Sequence, residues 1–120
     1  MSADLLSRRS QHTTEALSAD AAAALLAQVP GWSIEDGQLM RNFGFADYYR
    51  TMAFVNAVAY LSHAEDHHPE LTVTYKTCLV RYSTHSVNGG RGGLSGNDFI
   101  CAAKAGALFD ATAAAAAVGA

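Results

Sequence analysis

The chain has 120 residues, of which half are hydrophobic, and its 8 Lys and Arg against 11 Asp and Glu give a formal net charge of −3. That length accommodates one core and not two, and the scattered cations form no basic stripe, which argues against direct nucleic-acid binding. Cys78 and Cys101 lack paired spacing and read as buried thiols in a reducing cytoplasm rather than as a disulfide framework.

Residues 1–16 are polar, with Asp4, Arg8 and Arg9 and no apolar run, so they read as a disordered lead-in without a signal peptide, and His12 within them receives no role. A single α+β domain is expected over residues 17–110. Ser18 starts a helix reaching about Gln28, with Ala22, Leu25 and Leu26 as its apolar stripe and Pro30-Gly31 as its stop. A short strand, Trp32 to Ile34, turns at Glu35-Asp36-Gly37 into a second, Gln38 to Phe45, on which Leu39, Phe43 and Phe45 share a face.

Asp47 is a plausible N-cap for a long amphipathic helix ending near Asp66, with Tyr48, Met52, Val55 and Ala59 in one row and Phe54, Val58 and Leu61 beside it. The helix must stop at or before His68, because a residue preceding proline avoids the α region. Leu71 to Tyr75 and Cys78 to Tyr82 then alternate as strands. A reversal at Lys76-Thr77 sets Tyr75 opposite Cys78 and, counting outward, His68 opposite His85. Tyr75, Phe43 and Phe45 read as core residues, and Trp32 reads as core before ligand contact.

The glycine-rich stretch Val87 to Gly93 reads as a flexible loop. Ser95-Gly-Asn-Asp98 matches a capping box, with Asp98 as the cap acid of a helix carrying Phe99, Ile100, Ala103, Ala107 and Leu108. Lys104 and Asp110 interrupt the apolar run from Phe99 to Val118, so no membrane span is expected. The Ala-rich tail, residues 111–120, reads as a frayed helix or disorder.

The expected order is therefore α-β-β-α-β-β-α: an α+β fold with a four-stranded antiparallel sheet and three helices packed on one face. Small sheets leave edges, and pairing them across a two-fold axis predicts a homodimer or homotetramer.

Four of the five histidines, His63, His67, His68 and His85, lie in a short interval. Imidazole is the side chain whose ordinary pKa lies near neutrality, so the cluster points to proton transfer or metal ligation. His63 and His67 have the i, i+4 spacing of a helical metal pair, but no cysteine joins them, and the expectation is no metal. The dipole at a helix C-terminus would favour a cationic His67 or His68.

The run His63-x3-His67-His68-Pro69-x5-Tyr75-x9-His85, followed by Gly93-Leu-Ser and Asp98, closely resembles the pterin-4a-carbinolamine dehydratases, a family also known as the dimerisation cofactor of a homeodomain transcription factor. Pro30-Gly31-Trp32, Phe43-x-Phe45-x-Asp47-Tyr48 and Asn97-Asp-Phe99 support the match, which extends from about Leu17 to Leu108. The resemblance implies a cytoplasmic hydro-lyase that expels water from 4a-hydroxytetrahydropterin to give the quinonoid dihydropterin in tetrahydrobiopterin recycling, without metal or organic cofactor.

It further implies that His67, His68 and His85 are catalytic. Asp66, His67, His68 and Pro69, with Ser83, Thr84, His85 and Ser86, match segments that line the pterin; Trp32 matches a tryptophan near the site, and His63 stands beside it where several relatives carry Glu. His67 and His85 are the expected proton-transfer pair, with His68 positioning the leaving hydroxyl. The loop 87–93 is longer than is usual in the family, and Arg91 on it is within possible reach of the substrate. The alternative function is a non-catalytic protein-binding or assembly module on the same fold, from which loss of the histidines would be expected.

Overall fold

Asp36 and Gly37 hold positive φ, 52° and 72°, the geometry a two-residue hairpin loop demands. Through this loop β1 (Ser33–Glu35) reverses into β2 (Gln38–Gly44). The computed structural model describes residues 2–117, with side chains described for 4–112. Along it follow α1 (Ser2–Ser7), α2 (Ala19–Leu26), the hairpin, α3 (Tyr48–Glu65), β3 (Glu70–Val73), β4 (Thr77–Tyr82), a single 3-10 turn (Asn88–Gly90) and α4 (Gly96–Ala117). The strands form one antiparallel sheet in the order β1-β2-β4-β3.

Strand parity sorts the sheet's faces. Leu39, Phe43, Cys78, Val80 and Tyr82 are all buried on one face, against Phe54, Val58, Phe99 and Ile100 from α3 and α4. Phe43 sits 4.6 Å from Phe54 and 5.1 Å from Phe109, ring to ring, and Phe45 closes the margin of this aromatic group at half burial. Ala102, Ala103 and Ala105 let α4 approach closely. Both cysteines are buried free thiols.

The β3–β4 register differs from expectation by two residues. Val73 pairs with Cys78 and Glu70 with Arg81, and the Thr74 N–H donates to the Thr77 carbonyl at 2.9 Å, so the loop is Tyr75-Lys76. Thr74 decides this: its hydroxyl oxygen accepts the Thr77 N–H at 3.1 Å and bonds the Thr77 hydroxyl as well, closing the loop one position early. A two-residue slip preserves which side chains face the core. It moves Tyr75 to the tip, where it is 66% exposed rather than part of the core, and sets His68 level with Ser83 instead of His85.

The lead-in is ordered where disorder was expected. Its α1 packs on α4 as a fourth helix, because Leu5 is a fully buried core residue and the Lys104 ammonium donates to the Arg8 carbonyl at 2.6 Å. The 87–93 loop is also ordered. Val87 is fully buried, its carbonyl accepts the N–H groups of Gly90 and Gly92, and the Asn88 side chain donates to the Gly92 carbonyl at 2.9 Å. At the other end α4 carries the alanine tail as helix through Ala117, and residues 118–120 lie outside the described residues. No helix among the described residues is long and apolar enough to cross a membrane.

If Leu5 anchors the N-terminal segment, Leu5→Ala will lower the free energy of unfolding by about 2–4 kcal/mol, as for other buried leucines. Urea denaturation measures this, and a change within about 0.5 kcal/mol would mean that the segment carries no core.

Candidate active site

The position of His67 starts with the way α3 ends. Asp66 adopts the left-handed conformation, φ 50° and ψ 44°; its N–H donates to the His63 carbonyl and the His67 N–H to the Ser62 carbonyl. This is a Schellman cap with Asp in the place usually taken by glycine, a substitution that Asp tolerates through its short polar side chain. The reversal carries the His67 ring off the helix. His63 and His67 therefore do not share a helical face: His63 stays exposed on α3, outside the site, and the i, i+4 reading of the pair is overturned.

His67 lands against the start of α4. Its Nε2 lies 2.6 Å from Asp98 Oδ1, and its ring is parallel to that of Tyr82, 8° between planes with centroids 5.8 Å apart. Asp98 is wholly buried. Its Oδ2 accepts the Ser95 N–H at 2.9 Å, which completes the expected capping box, and the Thr84 hydroxyl at 2.8 Å. With Thr84 donating to the carboxylate, the Ser95 hydroxyl donates to Thr84 Oγ1 at 2.7 Å and itself accepts the Asn97 N–H. Every bond to the carboxylate thus comes from a donor, so His67 carries its proton on Nε2 and leaves Nδ1 as the second ring nitrogen.

β4 delivers the remaining histidine. After Tyr82 the chain runs through Ser83 to Ser86, held by the two backbone bonds between Thr84 and Gly93, and His85 projects from this turn. His67, His68 and His85 all line one cavity of about 370 Å³, together with Asp66, Ser83, Thr84 and Ser86. Three residues expected there stand elsewhere. His63 is separated by the left-handed cap, and Pro69 falls outside the lining. Trp32 is core, edge-on to Phe43 at 5.8 Å and one ring removed from His67 through Tyr82. Arg91 does not line the cavity either; its Nε donates to the Asn88 carbonyl.

Other lining residues went unnoticed in the sequence. Ser10 to Thr13, including His12, form one wall, and Glu65 and Asn97 tie that wall down. The clues were present: Leu5 makes the lead-in partly apolar, and Arg9 pairs with Glu65 at the end of α3. Glu65 is buried at 7% exposure, and burial alone would raise its carboxyl pKa. The Lys104 hydrogen bond at 2.8 Å, the Ser10 N–H, and the charges of Lys104 and Arg9 outweigh that and hold it below the ordinary value.

The neighbouring groups limit the chemistry. Burial, reinforced by Cys101, Asp98 and Cys78, pushes the Tyr82 phenol well above its usual range, so it serves as a neutral platform under His67. Burial first, then the Glu65 and Asp98 charges, pushes the Cys101 thiol up to about 12, and burial also raises Cys78, so neither supplies a thiolate. Among the described residues no three His, Cys, Asp or Glu side chains are grouped to hold a metal ion. The cavity presents the imidazoles of His67, His68 and His85, side chains of a type that can donate or accept a proton.

Comparison with known proteins gives one family and a matching fold. The family model described as pterin 4 alpha carbinolamine dehydratase matches residues 15–108. A protein from Xanthomonas campestris pv. campestris (strain B100), named for pterin-4-alpha-carbinolamine dehydratase, is 63% identical over 90 residues, 73% of each chain. One of the same name from Bdellovibrio bacteriovorus is 49% identical over 105 residues, 88% of each chain. The crystal structure of a transcriptional coactivator/pterin dehydratase from Brucella melitensis superposes with a TM-score of 0.72 at 27% identity, covering 78% of this chain and 98% of the other.

Two measurements check the site's electrostatics. Imidazole ¹⁵N NMR will show His67 as the Nε2–H tautomer, and Asp98→Asn will mix or reverse the tautomers; an unchanged spectrum would refute the donor assignment. Because the Glu65 carboxyl pKa is depressed on folding, its contribution is present above the unfolded carboxylate pKa of about 4.3 and is lost as pH falls through the lower folded value. Glu65→Gln will accordingly flatten the stability–pH curve in that acid window and leave its shape near pH 7 unaltered.

Proposed function

Since the chain belongs to the pterin 4 alpha carbinolamine dehydratase family, and so to the hydro-lyases, we propose that it expels water from a 4a-hydroxytetrahydropterin by histidine acid/base catalysis, in the recycling of tetrahydrobiopterin. The observation that carries this reading is the convergence of His67, His68 and His85 on one cavity. The reaction breaks the C4a–O bond. An imidazolium protonates the departing hydroxyl, which leaves as water, while a neutral imidazole takes the ring N–H proton and the released electron pair forms the C=N bond of the quinonoid product. Both steps are proton transfers, and no electron leaves the substrate, so neither demands a cofactor.

His67 and His85 divide the two proton transfers, and His68 positions the leaving hydroxyl. The bond from His67 to Asp98 supports this assignment, since a buried carboxylate that fixes the tautomer of an imidazole presents its other nitrogen to the substrate in one protonation pattern. Ser83, Thr84 and Ser86 belong to the cavity wall against which the heterocycle would rest. The same reading expects self-association through the free sheet edges, β1 and β3.

Retention of the histidines and of the Asp98 partner favours the enzyme over a module kept only for its surface. With chemically generated 4a-hydroxytetrahydropterin, His67→Ala and His85→Ala will each lower kcat by ~10²-fold or more, while their urea-unfolding curves show the chain still folded. If neither variant slows dehydration below the wild-type rate, the acid/base assignment falls; if the wild-type chain itself does not speed dehydration, the binding-module reading replaces the enzyme.

A further inference from the structure

The family match begins at residue 15, yet one wall of the cavity is made by residues 10–13. This segment is stitched down on both sides of His12. Before it, the Ser10 N–H donates to Glu65 Oε1 at 2.8 Å, and Gln11 exchanges two bonds with the Asn97 side chain, N–H to Oδ1 at 3.0 Å and Nδ2 to carbonyl at 2.5 Å. After it, the Ser86 hydroxyl donates to the Thr13 carbonyl at 2.5 Å. The three anchors come from the end of α3, the first turn of α4 and the turn after β4. Those are the elements that deliver His67, Asp98 and His85.

The His12 ring, by contrast, has no hydrogen-bond or ionic partner among the described residues and lines the cavity as a fourth imidazole. A backbone fixed on both flanks with a free polar ring between is the arrangement of a residue that meets a ligand: its position is held in advance, and its hydrogen-bonding capacity is unspent.

We propose that the 10–13 segment is a strap completing the pterin pocket, and that His12 contacts the bound pterin and sets its affinity. The assignment rests on the dehydratase reading and adds to it a binding determinant outside the family's matched region. The ligand class is a polar bicyclic heterocycle with hydrogen-bonding edges, and His12 supplies one donor or acceptor to it without entering the proton-transfer steps.

The test uses the full chain and an oxidised pterin, which lacks the 4a-hydroxyl and cannot react, so binding is read by fluorescence quenching apart from turnover. His12→Ala will raise the Kd for this probe, and KM in the dehydration assay, by about three- to tenfold, the usual loss for one hydrogen bond; kcat will stay within about twofold. His12→Gln, which keeps a donor and an acceptor, will recover part of the affinity. Because His12 is exposed, Tm will not move, which separates loss of a contact from loss of structure. A wild-type protein that binds and dehydrates pterins, with a His12→Ala variant of unaltered Kd and KM, would overturn the strap assignment alone. A wild-type protein that neither binds the probe nor dehydrates pterin would overturn the assignment and the dehydratase reading together.

Discussion

A carboxylate withdrawn from water has to find donors for both oxygens, and Asp98 finds them on three separate pieces of chain. Ser95 on its own helix, Thr84 from the turn after β4 and His67 from beyond the end of α3 all donate to it. The chain of donors from the Asn97 N–H through Ser95 and Thr84 runs in one direction and ends on this acid. Bonds aligned in this way polarise one another, and loss of any member leaves a buried charge short of partners. The cap that starts α4 and the support that orients the candidate catalytic ring are therefore a single object.

Helix ends recur throughout the site, for a physical reason. The first and last turns of a helix leave backbone groups unpaired, so the chain gathers polar side chains there. The last turn of α3 contributes Glu65, and just beyond it stand Asp66 and His67; the first turn of α4 contributes Asn97 and Asp98. Within this polar seam the two buried acids divide the work. Asp98 holds the imidazole, while Glu65, balanced by Lys104, Arg9 and the Ser10 N–H, holds the N-terminal segment over the cavity. The ring of Tyr82 lies parallel beneath His67, and burial raises both its phenol and the Cys101 thiol out of the range in which they would ionise near neutrality.

Much of the fold was legible along the chain because its determinants are local. Asp47 caps α3 with its side chain accepting the Arg50 N–H at 2.8 Å, Ser18 caps α2, Asp36-Gly37 turns the first hairpin, and Leu39 and Phe43 alternate into the core as period two requires. The β3–β4 register was legible only to within two residues. Lys-Thr and Tyr-Lys are equally undistinguished as turn sequences, and the hydroxyl of Thr74 chose between them. Tyr75 lost its place in the core to that choice.

The candidate site divides the same way. By itself the sequence determined the inventory: a crowded set of histidines, an acid opening the last helix, and the helices and strands that carry them, all expressed through contacts a few residues apart. Only the tertiary structure decided which groups meet. His67 and Asp98 are 31 positions apart, and Gln11 and Asn97 are 86 apart. Such pairings depend on the accumulated path of the backbone, including one left-handed residue at Asp66 that turns His67 inward and leaves His63 in solvent. No periodicity encodes that path, because a side-chain hydrogen bond within about 3 Å is set by the packing of whole elements and not by the spacing of letters.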